Sequence, residues 1–306
     1  MSGQARRPTL GLVLGSEGIR AFAALPAAQF LANQGLGPDL LVGSGGGALI
    51  AALIGAGFDL EKVKESFLAV CDKRLFTELD PVAALSLAQS LRGRYTPDSA
   101  LVNTANLRAL YARIFKGLQV EDLVPRTILC ATDVKTGTPV TLTSGPVADA
   151  VYAAGCPYPL TPPLVVGDAW LADGSYSQPL PVLEAVKAGM DIIVGVYAQD
   201  EFALLPSSFG ESYLNVIRSF KKALLRSQNY QSLDFAEQEI ITLLAKPEKR
   251  PGAVCGDTLT VILDAGRKAL ERKQEDILQA VAAVRIRGGH GPSLPLTLDE
   301  PDRSPG

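Results

Sequence analysis

The sequence is poor in the residues that metal centres, disulfides and histidine-based catalysis require. It contains one histidine and four cysteines in 306 residues, and the cysteines lie far apart without a C-x-x-C pair. This pattern fits neither a zinc site nor a disulfide framework, so we expect reduced thiols, no metal and no cofactor. The histidine, His290, lies in a Gly-, Pro- and Ser-rich segment, residues 288–306, which we expect to be disordered. A Ser-His-Asp triad is therefore excluded.

An excess of charge of one sign is also lacking. The formal net charge is −3 and the pI is near 5.4, so we expect no nucleic acid partner, which usually requires a basic face. The apolar run at 10–14 is too short for the core of a signal peptide. Residues 40–58 are uncharged and about as long as a membrane span, but their glycine cluster suits a turn better. We therefore predict a cytoplasmic protein.

Apolar residues are plentiful and follow an α/β pattern. They make up 47% of the chain, enough for a large core, and strand-like runs alternate with helical ones. We predict strands at 9–14, 40–42, 128–133, 138–142 and 191–197. We predict helices at 20–34, 59–71, 80–91, 104–115, 148–154, 181–188, 211–226 and 257–284, the last with Asp257 as its N-cap. No internal linker interrupts the chain, so we predict one domain over 1–287 and a tail over 288–306.

Residues 41–53 predict a strand, a sharp turn and a helix that runs to about residue 55. Many hydrolases hold their nucleophile at such an elbow, where the residues two positions before and after the tip must be small. Gly43 and Gly47 satisfy this requirement around Gly45. Gly45 at the tip has no side chain, so the nucleophile itself is missing.

Several spaced motifs together resemble the patatin-like phospholipases over residues 10–198. In order, they are a glycine-rich loop after the first strand, the elbow, Ala131-Thr132-Asp133 with Thr136-Gly137, the run 151–163, and Asp173-Gly174. The resemblance implies a three-layer α/β/α fold with a central mixed, mostly parallel sheet. It also implies a serine-aspartate dyad, without histidine, that hydrolyses acyl esters of lipids.

The resemblance makes Asp173 the dyad base and Gly45 the nucleophile position. A slip of one residue would bring Ser44 to the tip as a substitute nucleophile, but would place Val42 where only a small residue fits. We expect the Ser44 hydroxyl instead to bond to the backbone near the start of the helix.

The oxyanion loop departs from the family pattern as well. In the family, glycine-rich backbone N–H groups face the developing negative charge. The corresponding positions are Ser16, Glu17, Gly18 and Arg20, of which Gly18 and Arg20 match. Two separate departures predict an inactive or very weak hydrolase, either a pseudoenzyme or an inactivated variant.

Other interpretations remain open. A non-catalytic protein that binds a lipid, an acyl chain or a protein partner would share the fold. A Rossmann-type nucleotide site is a remote alternative, because the glycines of the first loop do not form G-x-G-x-x-G. The oligomeric state is left open.

The helical stretch 211–226 carries an apolar stripe with basic flanks. It either packs on the sheet, with its basic residues solvated, or makes peripheral contact with a membrane. The stripe is Tyr213, Leu214, Ile217, Phe220 and Leu224, and the flanks are Arg218, Lys221, Lys222 and Arg226.

Overall fold

The computed structural model describes residues 7–15, 18–71, 96, 100–199, 202, 204–207, 209–232, 238–247 and 255–287. The predicted helix at 80–91, the loop residues Ser16 and Glu17, and the tail at 288–306 lie outside these described residues. Within the described part of the chain, no helix is both long and apolar enough to cross a membrane.

The described strands form one eight-stranded sheet. Its order is β5-β6-β3-β2-β1-β7-β8, with β4 also paired to β3. The pairs β3-β2, β2-β1, β1-β7 and β7-β8 are parallel. The pairs β3-β4, β3-β6 and β5-β6 are antiparallel. The predicted mixed, mostly parallel sheet is thus confirmed. The strands are β1 (Leu10–Leu14), β2 (Leu40–Ser44), β3 (Arg126–Asp133), β4 (Thr138–Leu142), β5 (Leu164–Val166), β6 (Ala169–Asp173), β7 (Ile192–Ala198) and β8 (Glu239–Ala245).

Helices cover both faces of this sheet. They are α1 (Leu25–Asn33), α2 (Gly46–Gly55), α3 (Leu60–Val70), α4 (Ala105–Phe115), α5 (Val147–Gly155), α6 (Val182–Lys187), α7 (Phe209–Ser232), α8 (Cys255–Glu271) and α9 (Gln274–Arg287). Leu12, Leu14 and Leu41 pack in the core that contains α1, α2, α8 and α9. Val13 and Val42, which alternate with them, pack in the core that contains α6. Burial on both faces explains why these strands are apolar without interruption.

The predicted helix at 20–34 is two elements. A 3-10 helix, Gly18–Ala24, precedes α1, and Pro26 lies in the first turn of α1. Proline has no N–H to bond to the preceding turn and is tolerated at the start of an α-helix, so the regular helix begins there. The predicted end is confirmed, since Gly35 follows α1 with a φ of 64°.

The predicted helix at 257–284 was wrong in two respects. It divides into α8 and α9, because the N–H of Lys273 bonds to the carbonyl of Leu270 and ends the regular pattern. The Lys273 ammonium lies 2.6 Å from Asp276 in the first turn of α9. Asp257 lies inside the first turn of α8 and is not its N-cap, since α8 begins at Cys255.

Three strands, β5, β6 and β8, were not predicted. Strand β5 has three residues and pairs only with β6, and β8 is an edge strand in which buried and half-buried residues alternate. Both depend on a neighbouring strand that is distant or short, and this leaves little local signal in the sequence.

Candidate functional site

The turn between β2 and α2 has the geometry that the sequence predicts for an elbow. Strand β2 ends at Ser44, α2 begins at Gly46, and Gly45 between them has φ 60° and ψ −135°. This backbone region is disfavoured for residues with a side chain and accessible to glycine. Gly45 therefore lies at the tip of a sharp strand-to-helix turn.

Close backbone contacts explain why the residues around the tip are glycines. A β-carbon at Gly43 would lie 2.6 Å from the Cα of Ala48, and one at Gly47 would lie 2.1 Å from the carbonyl oxygen of Leu14. At Gly46 it would lie 2.0 Å from the carbonyl oxygen of Gly18. The elbow motif already demands a small residue at positions 43 and 47. The need for glycine at position 46 is seen only in the structure.

The contact between Gly46 and Gly18 joins the elbow to the predicted oxyanion loop. Gly18 has a φ of 51°, a conformation that favours glycine, and begins the 3-10 helix that contains half-buried Arg20. The two segments that the resemblance pairs in function are thus neighbours in space.

Asp173 lies at the end of β6, next to β3. Its side chain is 7% exposed. One carboxylate oxygen, Oδ1, accepts a hydrogen bond of 2.9 Å from the backbone N–H of Ser175. The other, Oδ2, lies 3.4 Å from the Nζ of Lys221 in α7. Both oxygens of the predicted base therefore have a partner within the protein.

The backbone of Asp173 is fixed from two sides. Its N–H donates to the carbonyl of Cys156 at 2.9 Å, and its carbonyl accepts from the Thr132 hydroxyl at 3.0 Å. A β-carbon at Gly174 would lie 2.0 Å from the carbonyl oxygen of Cys130, so glycine is required after the aspartate. The motif at the end of β3 therefore serves to position the Asp173-Gly174 turn.

Asp133, the last residue of β3, ties the β3-β4 turn to β6. Its carboxylate accepts from the backbone N–H groups of Lys135 and Trp170, each at 3.1 Å, and from the Thr136 hydroxyl at 2.9 Å. Burial of the carboxylate opposes its charged form, but these hydrogen bonds outweigh it and lower the pKa of Asp133.

Asp173-Gly174 and the elbow adjoin one another. A β-carbon at Gly155 would lie 3.5 Å from the carbonyl oxygen of Gly45, and Cys156, the next residue, holds the N–H of Asp173. On the other side, a β-carbon at Gly174 would lie 2.8 Å from the Oγ of Ser44. The structure thus brings together the two positions that the sequence assigns to the dyad.

Ser44 lies in the interior. It is fully buried as the last residue of β2, opposite Cys130 of β3, and faces away from the α2 side on which Gly43 packs. Its Oγ has no hydrogen-bond partner among the described residues, so the expected bond to the backbone is absent. An unpaired buried hydroxyl costs about 1 to 3 kcal/mol. In this position Ser44 offers no accessible nucleophile.

Lys221 is a site residue that sequence reasoning missed. The sequence placed it among solvated basic residues, yet it is 6% exposed, with Nζ near Asp173 and 4.7 Å from the ring centroid of Tyr176. Lys221 precedes the apolar residue Leu225 by four positions, so the two side chains share one face of α7, and Leu225 is buried. That spacing could have placed Lys221 on the packed face of α7.

The cysteines near the site are not activated. Burial, with a smaller contribution from the charge of Asp173, raises the pKa of Cys156 to about 12. Burial likewise raises the pKa of the Cys130 thiol. Both are therefore protonated at neutral pH and are poor nucleophiles. In the described part of the chain, no group of three or more His, Cys, Asp or Glu side chains is arranged to hold a metal ion.

The family model of the patatin-like phospholipases matches residues 12–186, more than half of the sequence. The chain belongs to this family, and its fold is the three-layer α/β/α fold that the sequence predicted.

Solved structures that resemble the chain include the following three. VipD from Legionella pneumophila is 13% identical, with 91% of this chain and 67% of that chain covered at a TM-score of 0.47. The type III effector ExoU is 14% identical, with 90% of this chain and 54% of that chain covered at a TM-score of 0.42. The structure of the ExoU–SpcU complex of Pseudomonas aeruginosa is 14% identical, with 92% of this chain and 60% of that chain covered at a TM-score of 0.38. The chain thus spans between about half and two thirds of the length of these relatives, and the family assignment rests on the family model alone.

Proposed function

We propose that this protein is a patatin-like lipid acyl hydrolase scaffold of the phospholipase A class that is inactive or very weak as an enzyme. The observation that carries the proposal is Gly45, which occupies the elbow tip with φ 60° and has no side chain to attack an ester. Around it, the positions assigned to the base and to the oxyanion loop are retained in part, as Asp173 and Gly18.

The pairing of Asp173 supports a pseudoenzyme over a recently inactivated variant. In a working dyad the aspartate accepts the proton of the nucleophile. In this chain its oxygens are engaged by Ser175 and Lys221. A base whose second oxygen is engaged by a buried cation is a further obstacle to catalysis besides the missing nucleophile.

Lipid esters are the substrates that the family implies, and we propose that the chain retains a lipid or acyl-chain ligand at this site. Binding without turnover is the simplest function for a scaffold that keeps the elbow and loses its oxygen. The Ser44 alternative is less well supported, because its hydroxyl is buried.

Nucleotide binding is also poorly supported. A β-carbon at Gly15 would lie 2.1 Å from the carbonyl oxygen of Pro179, and one at Gly11 would lie 3.0 Å from the Cγ of Met190. These glycines therefore serve the packing of β1. A cytoplasmic location and the absence of a nucleic acid partner stay predictions.

Exposed apolar side chains on and before α7 support contact with a lipid surface. Leu204 and Leu205 are more than nine-tenths exposed, and Phe220 is 66% exposed. Lys222, two residues after Phe220, has its Nζ 5.4 Å from the ring centroid of Phe202. Apolar side chains next to basic ones are typical of helices that lie in a membrane interface.

Hydrolysis of p-nitrophenyl acyl esters tests the proposal, with Asp173→Asn as the matched control. We expect both proteins to give the background rate, because neither has a nucleophile. We also expect a lysophospholipid to raise the melting temperature; at about 100 times its Kd, a ligand stabilises a fold by about 2.7 kcal/mol. Turnover that Asp173→Asn abolishes would refute inactivity, and an unchanged melting temperature would refute the lipid ligand.

A further inference from the structure

We infer that Lys221 is a positioning residue that holds the Asp173 carboxylate and occupies the oxygen that a hydroxyl at position 45 would need. The inference rests on the proposed function, since it concerns the same dyad. Its consequence is that restoring a serine at 45 does not by itself restore the dyad. Gly45 and Lys221 are then two parts of one altered site.

The geometry around Asp173 divides its two oxygens between two partners. Oδ1 caps the turn that follows β6 by accepting from the Ser175 N–H at 2.9 Å, and this bond holds the carboxylate against its own backbone. Oδ2 is the remaining oxygen and faces the Lys221 ammonium at 3.4 Å. A new hydroxyl would have to displace the ammonium or share this oxygen with it.

Burial makes the pair difficult to separate. The side chains of Lys221 and Asp173 are each 7% exposed. Removal of Lys221 therefore leaves a buried carboxylate without its counter-charge, and removal of Asp173 takes a counter-charge from a buried ammonium. The ring of Tyr176, 4.7 Å from Nζ, gives the ammonium a second favourable contact.

A second bond from α7 reaches the same turn. Gln228, seven residues after Lys221 and hence on the same helix face, donates from Nε2 to the carbonyl oxygen of Ser177 at 3.2 Å. Helix α7 is therefore attached to the segment from Asp173 to Ser177 at two points, which fixes the direction from which Lys221 approaches the carboxylate.

A stability cycle tests the pairing without any assay of activity. Urea unfolding is compared for the unaltered chain, Lys221→Met, Asp173→Asn and the double variant. We expect each single change to lower the unfolding midpoint, and the double variant to recover part of the loss because no charge is left unpaired. Additive losses would overturn the inference.

The second test measures ester turnover in the Gly45→Ser background. In the restored dyad the hydroxyl proton would move to Asp173 Oδ2 as the oxygen bonds to the carbonyl carbon. The proton would then pass to the leaving alkoxide, and water would release the acyl group. We expect Gly45→Ser alone to be at background and Gly45→Ser with Lys221→Met to be faster by about 10²-fold or more, the lower end of what a positioned base contributes.

Three controls separate this effect from a general loosening of α7. Lys221→Arg keeps a cation and should leave the Gly45→Ser protein at background. Ala223→Gly weakens α7 at an exposed position and should do the same. Adding Asp173→Asn should abolish the gain from Lys221→Met. Equal turnover of Gly45→Ser with and without Lys221→Met would overturn the inference.

Failure of the proposed function gives a different result. If the unaltered chain itself turns over esters, the proposed inactivity is refuted. If every serine variant stays at background while the stability cycle shows coupling, the claim that Lys221 blocks a dyad is refuted and the proposed inactivity stands. The pairing of Lys221 with Asp173 would then stand as a structural contact.

Discussion

Gly45 combines a positive φ with a ψ of −135°, and this backbone conformation is set by the turn from β2 into α2. In an active hydrolase the nucleophile must tolerate the same strain, which the surrounding structure offsets. Glycine avoids this strain. If the chain does no catalysis at this position, as we propose, glycine there stabilises the fold.

Restoring a side chain at this position should lower stability. We expect Gly45→Ser to reduce the free energy of unfolding by about 1 to 3 kcal/mol, because a residue with a β-carbon is strained in this backbone region. The measurement is urea unfolding, with Gly37→Ser as the control, since Gly37 is not among the residues with positive φ and has open space around it. A Gly45→Ser protein as stable as the control would contradict the expectation.

At the scale of elements, the antiparallel part of the sheet holds the candidate base in place. Thr132, in β3, bonds to the Asp173 carbonyl, and Asp133 joins the β3-β4 turn to Trp170 at the start of β6. The motif at the end of β3 thus positions Asp173 and strand β6, and this role explains the motif without a contact to substrate.

Acid should weaken this connection. The pKa of Asp133 is lowered from its ordinary value of 3.8, so its contribution to stability is complete above 3.8 and is lost as the pH falls through the lower folded value. Urea unfolding of Asp133→Asn at pH 7 should show a loss that shrinks as the pH falls below 3.8. Asp168→Asn, which removes an exposed carboxylate nearby, should change stability little at either pH. A loss independent of pH would show that the charge of Asp133 does not matter.

For the whole molecule, α7 links the site to the surface. One side of the helix contributes Lys221 and Leu225 to the interior, and the other exposes Tyr213, Leu214 and Phe220. The prediction that all the basic residues of this stretch are solvated was therefore wrong for Lys221. The alternative in which the whole apolar stripe packs on the sheet was wrong for Tyr213, Leu214 and Phe220.

Binding to liposomes should depend on this exposed side. We expect Phe220→Glu to reduce sedimentation with vesicles of phosphatidylcholine and phosphatidylserine, because it replaces an apolar contact with a charge that anionic lipid repels. Thr143→Glu places the same charge at an exposed position outside α7 and should leave binding unchanged. Equal sedimentation of both variants and the unaltered chain would exclude this face as the contact.

The sequence by itself determined the family, the layered α/β fold, the position of the elbow and the glycine at its tip. These depend on short spacings and on apolar periodicity, which neighbouring residues carry. Only the tertiary structure decided which groups meet Asp173, since Lys221 lies 48 residues away and reaches it through the packing of α7. It also decided that Ser44 is buried, that α8 and α9 are separate, and that β8 forms an edge. Such features depend on contacts between distant segments, and no local pattern encodes them.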